Sequence, residues 1–264
     1  MIFIGESINA TIPRVNLSIA QRDETVITEL AKAQCDAGAD YIDINAGTGK
    51  GDEADDLVFL TELVQRVSNK PLCLDSSDPK ALRSAASCCR EPFILNSVSA
   101  DKHKISDILP IIDNHACRVI ALAHGEGGMP ETLEERLHFA RTIVNELRHA
   151  GLEDDAIFLD PVLMGLSTDS SAGATALDTI KVFRREYKNI HIILPLSNIS
   201  FGLPGRSVIN NTFMPMTAAA GVDTYILDVR KSVYTQLKTT LNLLLGQDKY
   251  CKHYIKAYRQ GLFH

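Results

Sequence analysis

Short apolar runs and longer amphipathic stretches alternate along the whole chain. The runs lie at 2–4, 41–44, 72–74, 93–95, 119–123, 157–159, 192–194 and 224–227, each rich in Ile, Leu and Val. Runs of that length without polar alternation predict strands buried on both faces, as in a parallel sheet. Between them, apolar residues recur every three or four positions, which predicts helices over 24–37, 52–67, 79–86, 103–112, 131–150, 174–187, 206–220 and 231–245. Local stop and start signals agree. Ser77-Asp78-Pro79 reads as a polar cap before an early proline, and Gly38 and Gly151 follow helices as C-terminal stops.

Eight strands and eight helices in strict alternation, with strands starting about every 32 residues, suit an α/β chain closed as a TIM (β/α)8 barrel. An open doubly wound sheet is the structural alternative. No linker, charge run or composition break divides residues 1–264, so a single domain is expected, with a closing helical tail over about 247–264.

Composition narrows the function. The net charge of −6 disfavours a surface that neutralises nucleic-acid phosphates. No uninterrupted apolar segment is long enough to span a membrane, and the N-terminus meets an acid at Glu6, unlike a signal peptide. Six cysteines without a CxxC pair are neither a disulfide scaffold nor a thiolate metal knot; they read as reduced thiols of a cytoplasmic protein. Cys88-Cys89 lacks the three or four converging ligands that zinc needs, so no tightly bound metal is expected.

In such barrels chemistry gathers where strands end. Here the ends carry Glu6, Ser7 and Asn9; Asp43 and Asn45; Asp75; Asn96; His124; Asp160; Ser197 and Asn198; and Asp228. One Asp at a strand end commonly caps the next helix. A whole rim of acids and amides costs free energy unless it binds something polar. A pterin suits it, because its 2-amino and ring N–H groups meet carboxylates and an Asn can both donate and accept. A sugar or nucleobase would fit as well.

Gly5-Glu6-Ser7-Ile8-Asn9, Asp43-Ile44-Asn45, Cys73-Leu74-Asp75-Ser76, Asn96-Ser97, Asp160-Pro161 and the segment Ser197-Asn198-Ile199-Ser200-Phe201-Gly202-Leu203-Pro204-Gly205-Arg206 resemble the pterin-binding methyltransferases. These are the methyltetrahydrofolate:corrinoid protein methyltransferases and the folate module of cobalamin-dependent methionine synthase. The resemblance runs in order over essentially the whole chain. It implies a pterin-binding TIM barrel, usually a homodimer, that moves a methyl group between N5 of tetrahydrofolate and the cobalt of a cobalamin (corrinoid) presented by a separate corrinoid protein.

By the same resemblance, Asp75, Asn96 and Asp160 hold the pterin ring, and Asn198 stands beside N5. Arg206 faces the substrate or braces the loop. Glu6, Asn9, Asp43, Asn45, Ser197 and Phe201 complete the candidate set, Phe201 standing where some relatives carry a polar side chain. The 124–128 loop, with His124, has no assigned role. The Phe-Gly-Leu-Pro-Gly stretch inclines the reading toward a demethylating pathway over acetogenic carbon fixation. A dihydropteroate synthase-like enzyme would lead one to expect an Asn-Val-Thr-Pro-Asp-Ser-Phe-like opening, which Ser7-Ile8-Asn9-Ala10-Thr11-Ile12-Pro13 does not match. A pterin carrier without chemistry would use the same polar rim.

Overall fold

In the computed structural model, which describes residues 1–47, 51–126 and 128–263, eight parallel strands close into a barrel in sequential order. They are β1 (Ile2–Asn9), β2 (Tyr41–Asn45), β3 (Leu72–Asp75), β4 (Phe93–Ser99), β5 (Cys117–Leu122), β6 (Ile157–Asp160), β7 (His191–Pro195) and β8 (Thr224–Leu227). β8 pairs with β1 from Ile2↔Thr224 to Gly5↔Leu227, which shuts the ring and excludes the open sheet.

The helices are α1 (Pro13–Gln21), α2 (Glu24–Asp36), α3 (Glu53–Val67), α4 (Pro79–Cys88), α5 (Lys102–Asn114), α6 (Leu133–His149), α7 (Ala172–Glu186), α8 (Arg206–Ala220), α9 (Ser232–Leu244) and α10 (Lys252–Arg259). The sequence pattern misses α1. That helix buries only Val15, Ser18 and Ile19, too few apolar positions for a periodic signal. The expected helix over 131–150 begins instead at Leu133. A capping box explains the start: Glu135 N–H donates to Thr132 Oγ1 (3.1 Å), while Glu135 Oε2 accepts from Thr132 N–H (3.3 Å). The tail forms a short 3₁₀ turn, Lys249–Cys251, and then α10. Gly127 of the 124–128 loop and His264 of the tail lie outside the described residues.

Two cores follow from the alternation of side chains along each strand. The larger lies between sheet and helices. The smaller fills the barrel with one side chain per strand: Ile4, Tyr41, Cys73, Ile94, Ile120, Phe158, Ile193 and Ile226. Two residues further along each strand, the inward layer becomes Glu6, Asp43, Asp75, Asn96, Leu122, Asp160, Pro195 and Asp228. A dry floor thus lies directly under a mostly polar layer at the C-terminal mouth.

Candidate active site

The floor and the polar layer enclose a cavity of about 410 Å³. Its size is that of a small-molecule site (roughly 300–1,000 Å³). Glu6, Asn9, Asp43, Asp75, Asn96, His124, Asp160 and Asn198 line it, with Leu122, Met129, Val162, Leu163, Pro195 and Ile226. The barrel therefore brings together most of the residues expected from sequence. Asn45 does not line the cavity; it stands behind Asp75. Ser197, Arg206 and Phe201 are also outside, Phe201 69% exposed on the rim.

Each acid in the wall has its own environment. Asn45 Nδ2 donates to Asp75 Oδ2 (2.9 Å), and Asn96 Nδ2 donates to Asp43 Oδ1 (3.1 Å). Each amide thus gives a donor to one of two buried carboxyls that still repel each other. Burial, and then the charge of Asp75, push Asp43 well above the usual carboxylate range. Burial pushes Asp75 up to about 6, against the bond from Asn45. Asp160 is 4% exposed, and burial pushes it up to about 7 although Oδ1 accepts from Val162 N–H (2.7 Å). Burial lowers His124 below its ordinary value, so this rim imidazole favours its neutral form.

The loop beyond Asp160 is held in an unusual shape. Val162 has φ +61°, a left-handed conformation costly for a β-branched residue. Arg136, reaching in from α6 and 5% exposed, donates from Nη1 to the carbonyls of Pro161 and Val162 (3.3 Å each). Sequence reasoning does not find Arg136, because it sits inside an ordinary helical pattern 24 residues before Asp160.

Glu6 owes its position to a bulge in β1. Gly5 pairs with Ile42 and Ile8 with Ile44, so three steps along β1 oppose two along β2. The buried Gln34 of α2 braces the bulge: its Oε1 accepts from Ser7 N–H (3.0 Å). Ser7 Oγ donates to Asp228 Oδ1 (3.2 Å) across the β1–β8 seam. Burial, and then Asp228, raise the Glu6 carboxyl, while Lys231, Arg206 and a bond with Ser197 oppose them.

Asn198 lies in a 3₁₀ turn, Leu196–Ser200, directly after β7. Arg206, the first residue of α8, braces that turn with Nη2 to the Ser197 carbonyl (2.8 Å) and Nε to Ser200 Oγ (3.1 Å). The loop after β6 supports its other side: Leu166 N–H donates to the Ile199 carbonyl (2.9 Å) and Ser167 Oγ to that of Phe201 (2.7 Å). An exposed amide is thereby mounted on a fixed base at the cavity mouth. Among the described residues, no group of three or more His, Cys, Asp or Glu side chains converges as a metal site. Cys88 closes α4, with Sγ donating to the Ala85 carbonyl (3.2 Å), away from the cavity.

The chamber can therefore take a flat polar heterocycle edge-on. Its acids can hold protons or accept N–H bonds, and one exposed amide stands over the ligand's outer edge.

The chain is similar to known proteins in both sequence and fold. A profile of the family described as "Pterin binding enzyme" matches residues 5–228. The chain is 36% identical over 263 residues to the methylcorrinoid:tetrahydrofolate methyltransferase of Eubacterium limosum, covering 99% of this chain and 97% of that one. It is 25% identical over 244 residues to methionine synthase of Mycobacterium leprae, covering 88% of this chain but 20% of that protein. Among solved structures, the 7,8-dihydropteroate synthase of Vibrio fischeri superposes with a TM-score of 0.67 at 15% identity, covering 93% of each chain. The dihydropteroate synthase of Coxiella burnetii with pteroic acid gives 0.66 at 14%, covering 92% of this chain and 93% of that one, so both likenesses concern the fold.

Proposed function

Because the chain belongs to the pterin-binding enzyme family, we propose that it is a methyltransferase acting between N5 of tetrahydrofolate and the cobalt of a corrinoid held by a separate protein. One observation carries the reading. Asp75, Asn96 and Asp160 face a single chamber whose mouth is occupied by Asn198, in a chain similar over its full length to a methylcorrinoid:tetrahydrofolate methyltransferase. The dihydropteroate synthase alternative has only the shared fold behind it.

The donor set fits a pterin. Its 2-amino and ring N–H groups give donors to Asp75 and Asp160, and Asn96 both donates and accepts. Charge-assisted bonds of this kind contribute about 1.5–3 kcal/mol each. The corrinoid supplies the cobalt that gives or takes the methyl group. The chain's own residues orient N5 and manage its proton. When N5 receives the methyl group it must lose a proton, and when it releases the methyl group it must gain one or a strong hydrogen bond. The Asn198 amide can accept from N5–H or donate to its lone pair, so it serves both directions. Glu6, on the wall beside Asn198 and raised by burial, exchanges the proton. Fixed mounting of Asn198 supplies orientation, since cobalt, carbon and nitrogen must lie in line.

In the same reading, residues 1–264 act as one domain, two chains form a homodimer, and the enzyme works in the cytoplasm, where its six free thiols stay reduced. The similarity to a methylcorrinoid-consuming enzyme favours a demethylating route that delivers methyl groups to tetrahydrofolate. Single-turnover transfer from a methylated corrinoid protein to tetrahydrofolate tests the proposal. Asn198→Ala is expected to slow the step about 10²- to 10³-fold while changing tetrahydrofolate affinity far less. A rate loss explained wholly by lost affinity would remove Asn198 from the chemistry. Tight folate binding with no methyl movement in the unmodified enzyme would make the protein a carrier.

A further inference from the structure

One backbone N–H supports the Asp160 carboxyl: Oδ1 accepts from Val162 N–H, and among the described residues no other hydrogen bond reaches it. That donor belongs to a residue held against its own preference. At φ +61° a β-branched side chain crowds the backbone, so an unrestrained Asp-Pro-Val segment would leave this conformation.

The restraint comes from α6. The carbonyls of Pro161 and Val162 belong to the two peptide planes on either side of the Val162 Cα. Arg136 Nη1 holds both, so it fixes the torsions between them. The first of these planes also carries the Val162 N–H. Arg136 thus takes one end of a planar peptide while Asp160 takes the other.

Packing alone does not explain the cation. Arg136 is buried, forms no ion pair among the described residues, and its Nε has no partner. The acids whose charges reach it are committed elsewhere: Glu135 closes the capping box, and Asp169 accepts from Ser171. An apolar side chain of similar volume would serve a purely structural site as well.

Asp160 shares its chamber with Glu6 of β1, Asp43 of β2, Asp75 of β3 and His124 after β5. Behind its loop lie Arg136 of α6 and Asp169 before α7. Burial raises the Asp160 carboxyl, and the Val162 N–H opposes that rise. Val162 also forms part of the chamber wall.

Resting on the proposed reading of the pterin chamber, we infer that Arg136 is a positioning residue for the transfer reaction: through one peptide plane it aims the Val162 N–H at Asp160, and so keeps the carboxylate available to a pterin N–H. Without Arg136, Val162 relaxes, its N–H withdraws, and the proton on Asp160 becomes harder to expel.

Arg136→Met keeps the stem and removes the donors. In the ligand-free protein, carbon-13 NMR of the aspartate carboxyls follows the proton directly, with the Asp160 signal identified through Asp160→Asn. Arg136→Met, checked for an intact thermal transition, is expected to move the Asp160 midpoint upward by about one pH unit. Calorimetry is then expected to find tetrahydrofolate bound about tenfold more weakly at pH 6.5 but within about twofold at pH 9. Glycine takes a positive φ without strain. Adding Val162→Gly to Arg136→Met should therefore return the midpoint most of the way. Arg136→Lys, which keeps one donating nitrogen, should give an intermediate midpoint, and serves in place of Arg136→Met if that variant does not fold. An unmoved midpoint, or an equal loss of affinity at both pH values, would leave Arg136 a packing residue and overturn the inference. A midpoint still displaced in the double variant would overturn it too, since strain at Val162 would not be what Arg136 restrains. Failure of tetrahydrofolate to bind the unmodified protein at either pH, while the midpoint moves as expected, would instead overturn the reading of the pterin chamber.

Discussion

Asp160 is the residue whose environment has the most direct consequence. Burial lifts its carboxyl to about 7, so near neutrality it holds a proton about half the time. A pterin N–H needs the carboxylate, so binding expels that proton. Tetrahydrofolate affinity should rise as pH climbs toward 7 and level off above it, and calorimetry at pH 6.5 in buffers of different ionisation enthalpy should register proton release. Asp160→Asn should weaken binding about 10- to 100-fold, by the loss of a charge-assisted bond, and should flatten the pH dependence. The sign for stability is opposite. Asp43, Asp75 and Asp160 all titrate above their unfolded values, so the unliganded fold is favoured by protonation. Its melting temperature should therefore fall between about pH 4 and pH 7, and saturating tetrahydrofolate should reduce that slope. A melting temperature that climbs across this interval would contradict the assigned burial. These acids were legible in sequence as polar strand ends. Their protonation was not, because burial by the other seven strands creates it.

At the scale of elements, the bulge of β1 decides where Glu6 points. A Cβ on Gly5 would lie 2.3 Å from Gln34 Oε1 and 3.2 Å from Val229 Cγ2, and Gln34 is fully buried and cannot swing away. Gly5→Ala should therefore cost about 1–3 kcal/mol in urea unfolding, the usual range for overpacking, and should disturb Ser7 and Glu6 as well. A loss under about 0.5 kcal/mol, the level of ordinary surface substitutions, would mean that the bulge tolerates a side chain. The strand and helix alternation was readable because each element carries its own periodicity. α1 was not, since it buries too few apolar positions to show a period, and the 3₁₀ turn around Asn198 was not, since it leans on the loop after β6. Arg206 shows the limit well: sequence left it either facing a ligand or bracing a loop, and in the fold it grips the Ser197 carbonyl and so braces the loop, while lining a cavity beside the chamber of Asp75 and Asp160.

For the molecule as a whole, α8 to α10 leave Val208, Met216, Leu244 and Ile255 exposed, apolar surface that the proposed homodimer can use. Light scattering should then give twice the chain mass of 29.0 kDa, and a single-chain mass at micromolar concentration would reject the dimer. By itself the sequence determined the barrel class, the order of its elements and the polar character of the strand ends, because hydrophobic period and capping are local properties written within a dozen residues. Tertiary structure alone decided which polar groups meet. Asn96 finds Asp43 across 53 positions, Ser7 finds Asp228 across 221, and the cavity beside the chamber joins the start of the chain to residues 196–234. Those meetings depend on ring closure, on register and on one extra residue in β1. None of the three is encoded by any single segment, since each emerges only when all eight strands share one interior.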